Sequence, residues 1–231
     1  MLASVEAVDL TRTYGRRYAV RKACFRLESG TVTAVIGANG AGKSTTFNLL
    51  ARRIAPTSGQ VFFDGVDLAT RTERRRLCGY LSHASFLYGG LTALENMNLV
   101  SGLYGVEASQ EQVEALLKRV GLERAKSRPV RQFSRGMTQR LALSRLLLVD
   151  PSVWLLDEPA SGLDDAGRRW LQSEVEALRR SGRIVAIASH SRHMISALAS
   201  HAIVLQKGRV VFSGPVESAS HVDQLFAEYI G

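Results

Sequence analysis

Thr31-Val-Thr-Ala-Val-Ile36, followed at once by Gly37-Ala-Asn-Gly-Ala-Gly-Lys43-Ser44, is the stretch that decides the fold. The first six residues are nearly all apolar and β-branched, the composition of a strand covered on both faces. The octet after them fits G-x-x-x-x-G-K-[ST], and a helix-like run, Lys43–Ala51, follows. Strand, glycine turn and helix in that order make a phosphate-binding loop. Glycines let successive backbone N–H groups turn toward phosphate oxygens, and the helix N-terminus adds a positive dipole end. Gly37, Asn39, Gly40 and Gly42 are therefore expected to shape a cradle for ATP. Lys43 neutralises its β- and γ-phosphates, Ser44 offers a hydroxyl to Mg²⁺, and Thr45 gives phosphate another donor.

Further along, Val153-Trp-Leu-Leu-Asp157-Glu158 repeats the logic of a buried strand that ends in polar chemistry. Open α/β sheets bind ligands at the C-terminal ends of their strands. Two acids after an apolar strand also suit a helix N-terminus, and alone the pair does not separate the two uses. Beside a phosphate loop, Asp157 is expected to hold Mg²⁺ through a water. Glu158 is then placed to polarise the attacking water as general base.

Around these two strands the chain alternates. Apolar runs at Val5–Leu10 and Ala23–Leu27 come first, then a strand pair near Gln60–Phe63 and Gly79–Ser82. From Thr92 to Val149 the spacing is helical, notably at Glu111–Val120 and Gln139–Val149. Then come the strand Val153–Asp157, a helix over Asp165–Arg180 and a strand at Ile184–Ser189. Ala202–Gln206 and Arg209–Ser213, divided by a Lys207–Gly208 turn, and a last helix at His221–Ile230 complete the pattern. Such alternation predicts a doubly wound core, with the middle block, about 92–149, as an inserted helical subdomain.

Composition narrows the class. The 231 residues are 45% hydrophobic, which suits a packed globule and excludes a disordered chain. Ser144 and Arg145 interrupt the apolar stretch Leu141–Val149, and no run approaches the ~20 residues of a membrane helix. The first ten residues lack the basic head and apolar stretch of a signal peptide, which implies the cytoplasmic side. Cys24 and Cys78 read as small buried hydrophobes rather than a disulfide or a CxxC site. Thirty Lys and Arg against 21 Asp and Glu give +9, a surface that favours phosphates, anionic lipid headgroups or nucleic acid. The densest basic cluster, Arg71–Arg76, reads as a solvated helix face or loop.

Six motifs in fixed order resemble an ATP-binding-cassette nucleotide-binding domain over essentially the whole chain. Tyr14, before Gly15, matches the aromatic that stacks on adenine, and Gly37–Thr45 is the phosphate loop. Phe133–Arg140, FSRGMTQR, resembles the cassette signature, and Val153–Glu158 the Walker B strand with its catalytic acid. Ser161–Asp164, SGLD, matches the D-loop, and His190 after IVAIAS matches the switch histidine. The resemblance implies an α/β fold: a P-loop NTPase (RecA-like) core with an N-terminal antiparallel β subdomain and an inserted α-helical subdomain, one domain over 1–231. It implies that Ser134, Gly136 and Asp164 serve a nucleotide shared with a second cassette, as in a homodimer, and that His190 joins Glu158 in catalysis. Arg135 and Met137 replace the usual Gly and Gln of the signature, and Arg135 either bridges the dimer junction or is solvated. Integral membrane permease subunits are the implied partners, at the cytoplasmic face of the inner membrane. One compact cassette without a heptad run argues against nucleic acid as a partner.

Within the family, Gly79–Gly105 and FSRGMTQRLALSR resemble the ATPase of the heme exporter used in cytochrome c maturation. There a histidine, here His83, stands in place of the usual Q-loop glutamine, which implies a catalytic role. The FSRGM form also resembles ATPases of exporters for drugs, polysaccharides or ions. Phe86, Leu87, Tyr88 and Leu91 suit either a groove for a permease's short cytoplasmic helix or the core of the helical subdomain.

Overall fold

Three strands carry no polar alternation because both of their faces are covered. These are β3 (Val32–Ile36), β6 (Val153–Asp157) and β7 (Ile184–Ala188), buried at every position in the computed structural model, which describes residues 2–67, 77–82 and 85–230. They are the centre of a six-stranded sheet ordered β5-β6-β7-β3-β8-β9, with β5 at Cys78–Leu81, β8 at His201–Gln206 and β9 at Arg209–Pro215. Five strands run parallel. The sixth, β9, returns antiparallel through Lys207 and Gly208, whose φ values of 48° and 80° suit a two-residue hairpin turn.

A second sheet is antiparallel, ordered β2-β1-β4, with β1 at Ser4–Tyr14, β2 at Arg17–Glu28 and β4 at Ser58–Phe63. The runs near Gln60–Phe63 and Gly79–Ser82 therefore do not pair with each other. β4 joins β1, whereas β5 lies beside β6 with Leu81 opposite Leu156. β2 buries Val20, Ala23, Phe25 and Leu27 and turns Arg21, Cys24 and Arg26 outward. Cys24 is thus exposed, not buried: the strand's two-residue period puts it on the solvent face, where its sulfur accepts the Asp9 N–H at 3.2 Å. Cys78 is half-buried, and burial pushes its thiol up to about 12.

The helices are α1 (Lys43–Leu50), α2 (Ala93–Tyr104), α3 (Gln110–Arg119), α4 (Arg135–Val149), α5 (Asp165–Arg180), α6 (Arg192–Leu198) and α7 (Ala219–Tyr229). One face of the parallel sheet packs on α1 and the antiparallel sheet through Phe47, Leu50, Val61, Phe63 and Leu155. Its other face packs on α4 and α5 through Leu143, Leu146, Trp154, Leu171 and Val175, and on α6 and α7 through Ile195, Val222 and Phe226. Trp154 is 2% exposed and donates its indole N–H to the Pro151 carbonyl at 2.9 Å. Truncating it to Ala would cost ~3–5 kcal/mol. A separate apolar core, with Met97, Val113, Leu117 and Leu141 fully buried, joins α2, α3 and the near side of α4. α4 thus ties this helical block to the sheet. Among the described residues no helix is long and apolar enough to cross a membrane. The basic cluster 71–76 lies outside the described residues.

Candidate functional site

Neighbouring parallel strands end on one edge, and β6, β7 and β3 are neighbours. Their C-terminal ends therefore bring the Gly37 loop, Asp157–Glu158 and Ser189–His190 together from distant parts of the chain. Gly42 sets the shape of the loop. Its φ is 111°, and a Cβ there would stand 2.4 Å from the Ala19 carbonyl oxygen, so only glycine fits. α1 begins directly after it with no side-chain cap.

The Lys43 ammonium donates to the Gly37 and Ala38 carbonyls at 2.6 and 3.1 Å. Burial holds it below the ordinary lysine range, opposed by the charges of Asp157 and Glu158. Ser44 Oγ donates to Asp157 Oδ2 at 2.6 Å, and the Tyr80 hydroxyl to the same oxygen at 3.3 Å. Asp157 itself is buried.

Glu158 follows at φ 50°, a left-handed conformation uncommon outside glycine and a mark of local strain. Its own N–H still donates to the Ala188 carbonyl at 2.8 Å, so the strain falls where the chain leaves the sheet. Its carboxylate accepts the His190 backbone N–H at 2.9 Å and the Ser189 hydroxyl at 3.4 Å, with His190 Nε2 3.8 Å away. Asn39, Gly40, Lys43, Ser44, Thr45, Asp157, Glu158 and His190 line one cleft of about 500 Å³. Tyr14 lines it too, half exposed at the end of β1, with the Arg12 guanidinium 4.9 Å from its ring centroid. Arg17 and Ala19, which no motif names, complete the wall. Arg17 pairs with Tyr14 across the β1–β2 turn, and this basic residue three places after the aromatic was the only signal available.

Ser134, Gly136 and Asp164 do not line this cleft. They gather where α4 meets the start of α5. Ser134 caps α4, its Oγ accepting the Met137 N–H at 3.3 Å. Gly136 lies so close to Gly162 that a Cβ would stand 2.6 Å from the Gly162 carbonyl oxygen. Arg135 donates to Ser161 Oγ at 2.6 Å, so within the chain it is tied to the SGLD segment rather than merely solvated. Asp164 caps α5 through the Gly167 N–H at 2.8 Å and accepts from Arg140 at 2.6 Å. The Gly167 N–H above all, and then the Arg140 guanidinium, hold its carboxyl below the usual range. The cap of α5 is thus Asp164, which leaves Asp157 and Glu158 to the cleft. A further cavity of about 330 Å³, lined by Phe133, Arg135, Gln139 and Ser161, touches those same two acids. His83 lies outside the described residues.

Ser44 Oγ and the Asp157 carboxylate bring hard oxygen donors together, already in contact through Oδ2. Two protein oxygens suit Mg²⁺, which keeps waters and takes substrate phosphates as its other ligands. Among the described residues no cluster of three or more His, Cys, Asp or Glu makes a self-contained metal cage, so the ion would depend on the nucleotide.

Residues 20–161 match the family model described as ABC transporter. The chain is 33% identical over 222 residues to the lantibiotic transport ATP-binding protein SrtF of Streptococcus pyogenes, covering 96% of this chain and 95% of that protein. It is 30% identical over 231 residues to the bacitracin transport ATP-binding protein BcrA of Bacillus licheniformis, covering 99% and 75%. Among solved structures it superposes on a dimeric, post-hydrolysis ATP-binding cassette bound to ADP and Pi, with TM-score 0.84 and 26% identity over 93% of this chain and 99% of the other.

Proposed function

This chain belongs to the ABC transporter family, and from that premise we propose how its cleft hydrolyses ATP and what it exports. It is the ATPase subunit of an ABC exporter, working as a dimer with transmembrane permease subunits. In our reading the loop N–H groups and Lys43 take the phosphates, Thr45 donates to them, and Tyr14 stacks on adenine. Ser44 and Asp157 would hold Mg²⁺, which when bound offsets charge on the phosphate oxygens. Glu158 accepts the proton of the attacking water. His190, whose N–H already holds the Glu158 carboxylate, keeps that base in place. Ser134, Gly136 and Asp164 serve the nucleotide of the second cassette. His83 remains assigned to the water and the ion by resemblance alone.

The cargo is a finer matter. Heme export and cytochrome c biogenesis, toward which Gly79–Gly105 points, find no support among these relatives. SrtF and BcrA are named for lantibiotic and bacitracin transport, which supports the other reading, an exporter for drugs, polysaccharides or ions, and within it points to antibiotic-like compounds. Its seat would be peripheral, at the cytoplasmic face of the membrane that holds the permease.

The 2.6 Å contact of Ser44 with Asp157, next in sequence to a carboxylate at the same cleft, carries the hydrolytic reading. Glu158→Gln should keep ATP binding and lose phosphate release by ~10²-fold or more, the scale of acid–base groups. Near-normal turnover in that variant would remove Glu158 from the role of base.

A further inference from the structure

Tyr80 belongs to none of the motifs, yet it touches the metal end of the cleft. It is 8% exposed on β5, and its hydroxyl reaches the Asp157 oxygen that also accepts from Ser44. Its ring meets Phe47 of α1 edge-on, centroids 6.1 Å apart, and lies under the Arg53 guanidinium at 5.4 Å. It also lines a separate cavity of about 270 Å³ with Arg53, Phe86 and Arg145.

A carboxylate's terminal torsion is broad and roughly two-fold, so a single contact from Ser44 would leave Asp157 free to swing. With two donors on Oδ2, the plane of the group is set, and Oδ1 takes no hydrogen bond from the described residues. We propose that Tyr80 is a positioning residue for Mg²⁺: its hydroxyl fixes the Asp157 carboxylate so that Oδ1 faces the water shell of the ion. Packing on Phe47 and Arg53 holds the phenol in line.

This inference rests on the reading of Ser44 and Asp157 as the metal pair, and the test separates the two. Mn²⁺, as the metal probe, is titrated by electron paramagnetic resonance into the protein with a non-hydrolysable ATP analogue. The analogue's own affinity is measured separately in EDTA. Tyr80→Phe keeps the ring and loses only the hydroxyl. It should weaken Mn²⁺ binding about three- to tenfold, the range of one ordinary hydrogen bond, with metal-free affinity unchanged. Asp157→Asn is the control and should weaken Mn²⁺ more. If Asp157→Asn shifts and Tyr80→Phe does not, Tyr80 has no positioning role and the metal pair stands. If neither shifts, both the pair and the inference fall. Equal losses for Tyr80→Phe with and without metal would make it a packing residue and overturn the proposal.

Discussion

α1 and α4 both start beside Asp157 and Glu158, and their N-termini are built in opposite ways. α4 opens on Ser134, whose hydroxyl oxygen satisfies the Met137 N–H. α1 opens on Gly42 with no side-chain cap, no acid in its first turn, and Lys43 as its first residue. A cation at the positive end of a helix dipole is unfavourable, and a glycine in place of a side-chain cap forgoes roughly a few tenths of a kcal/mol. The other α-helices among the described residues all use a side chain: Thr92, Ser109, Asp164, Ser191 and Ser218. A helix that only has to begin is closed by its own sequence, whereas α1 leaves its positive end uncapped, as the phosphate-binding role we propose for it needs. Ser134 stands between the two cases. Its lone pair is engaged by the cap, but its proton is still available to donate, so one hydroxyl can cap α4 and reach a phosphate across a dimer.

The largest break in this contrast comes from Gly42→Ala. The added methyl would meet the Ala19 carbonyl at 2.4 Å, and the loop must move with it. ATP affinity should fall ~10²-fold or more, as misplacement by about 1 Å commonly does. Gly102→Ala, inside α2 with nothing within 4 Å of its Cβ, should instead be neutral or stabilising by up to ~1 kcal/mol. Equilibrium binding and thermal melting measure both. Equal behaviour of the two variants would mean the loop tolerates a side chain after all.

Mixed dimers sharpen the other half. Ser134→Arg and Lys43→Ala chains should each be inactive alone. Mixed, they should regain ATPase activity, because both broken half-sites then fall on one nucleotide and the other nucleotide has intact halves. A mixture no more active than its parents would confine Ser134 to capping.

How much of this was readable in advance divides along the same line. The phosphate loop and the strand ending at Asp157 announce themselves because a buried strand has no polar residues and a backbone cradle needs glycine. α4 begins at Arg135, four residues before the apolar spacing that starts at Gln139, because Ser134 caps it ahead of any buried position. β1 and β2 run longer than the apolar runs Val5–Leu10 and Ala23–Leu27, because half-buried Arg12 in β1 and outward-facing Arg21 and Lys22 in β2 hide the alternation. α6 went unread: seven residues, with only Met194 and Ile195 buried, give too little periodicity. The Tyr80–Asp157 contact joins residues 77 apart and is made by the register of β5 on β6, which no local pattern encodes.

A smaller effect separates the two uses of Ser134. Ser134→Ala should lower stability by about 1 kcal/mol, or roughly 2–4 °C in Tm. Ser134→Asp should restore the cap and the Tm but set a carboxylate toward the partner's phosphates, and so stay inactive. If Ser134→Asp hydrolyses ATP like the wild type, the hydroxyl makes no contact across the dimer.

The smallest effect is a tilt of stability with pH that only α1 should show. Lys43 titrates lower in the folded chain than in the unfolded one, because burial disfavours its charge. As pH approaches the lysine range from below, the unfolded state therefore binds more protons than the native state. Unfolding free energy rises with pH wherever that holds, so the penalty of the buried ammonium is full at neutral pH and fades on alkalinisation. Against Lys43→Met, which cannot titrate, the wild type should gain in melting temperature between about pH 8 and pH 10. The difference between the two proteins is what counts, since every other titrating group is common to both. Bound ATP should flatten the tilt, because phosphate charge beside the ammonium raises its pKa back toward the unfolded value. A difference that is level across that range without nucleotide would mean that Lys43 is not held against its own loop in solution. The uncapped end of α1 would then be no more strained than the capped end of α4.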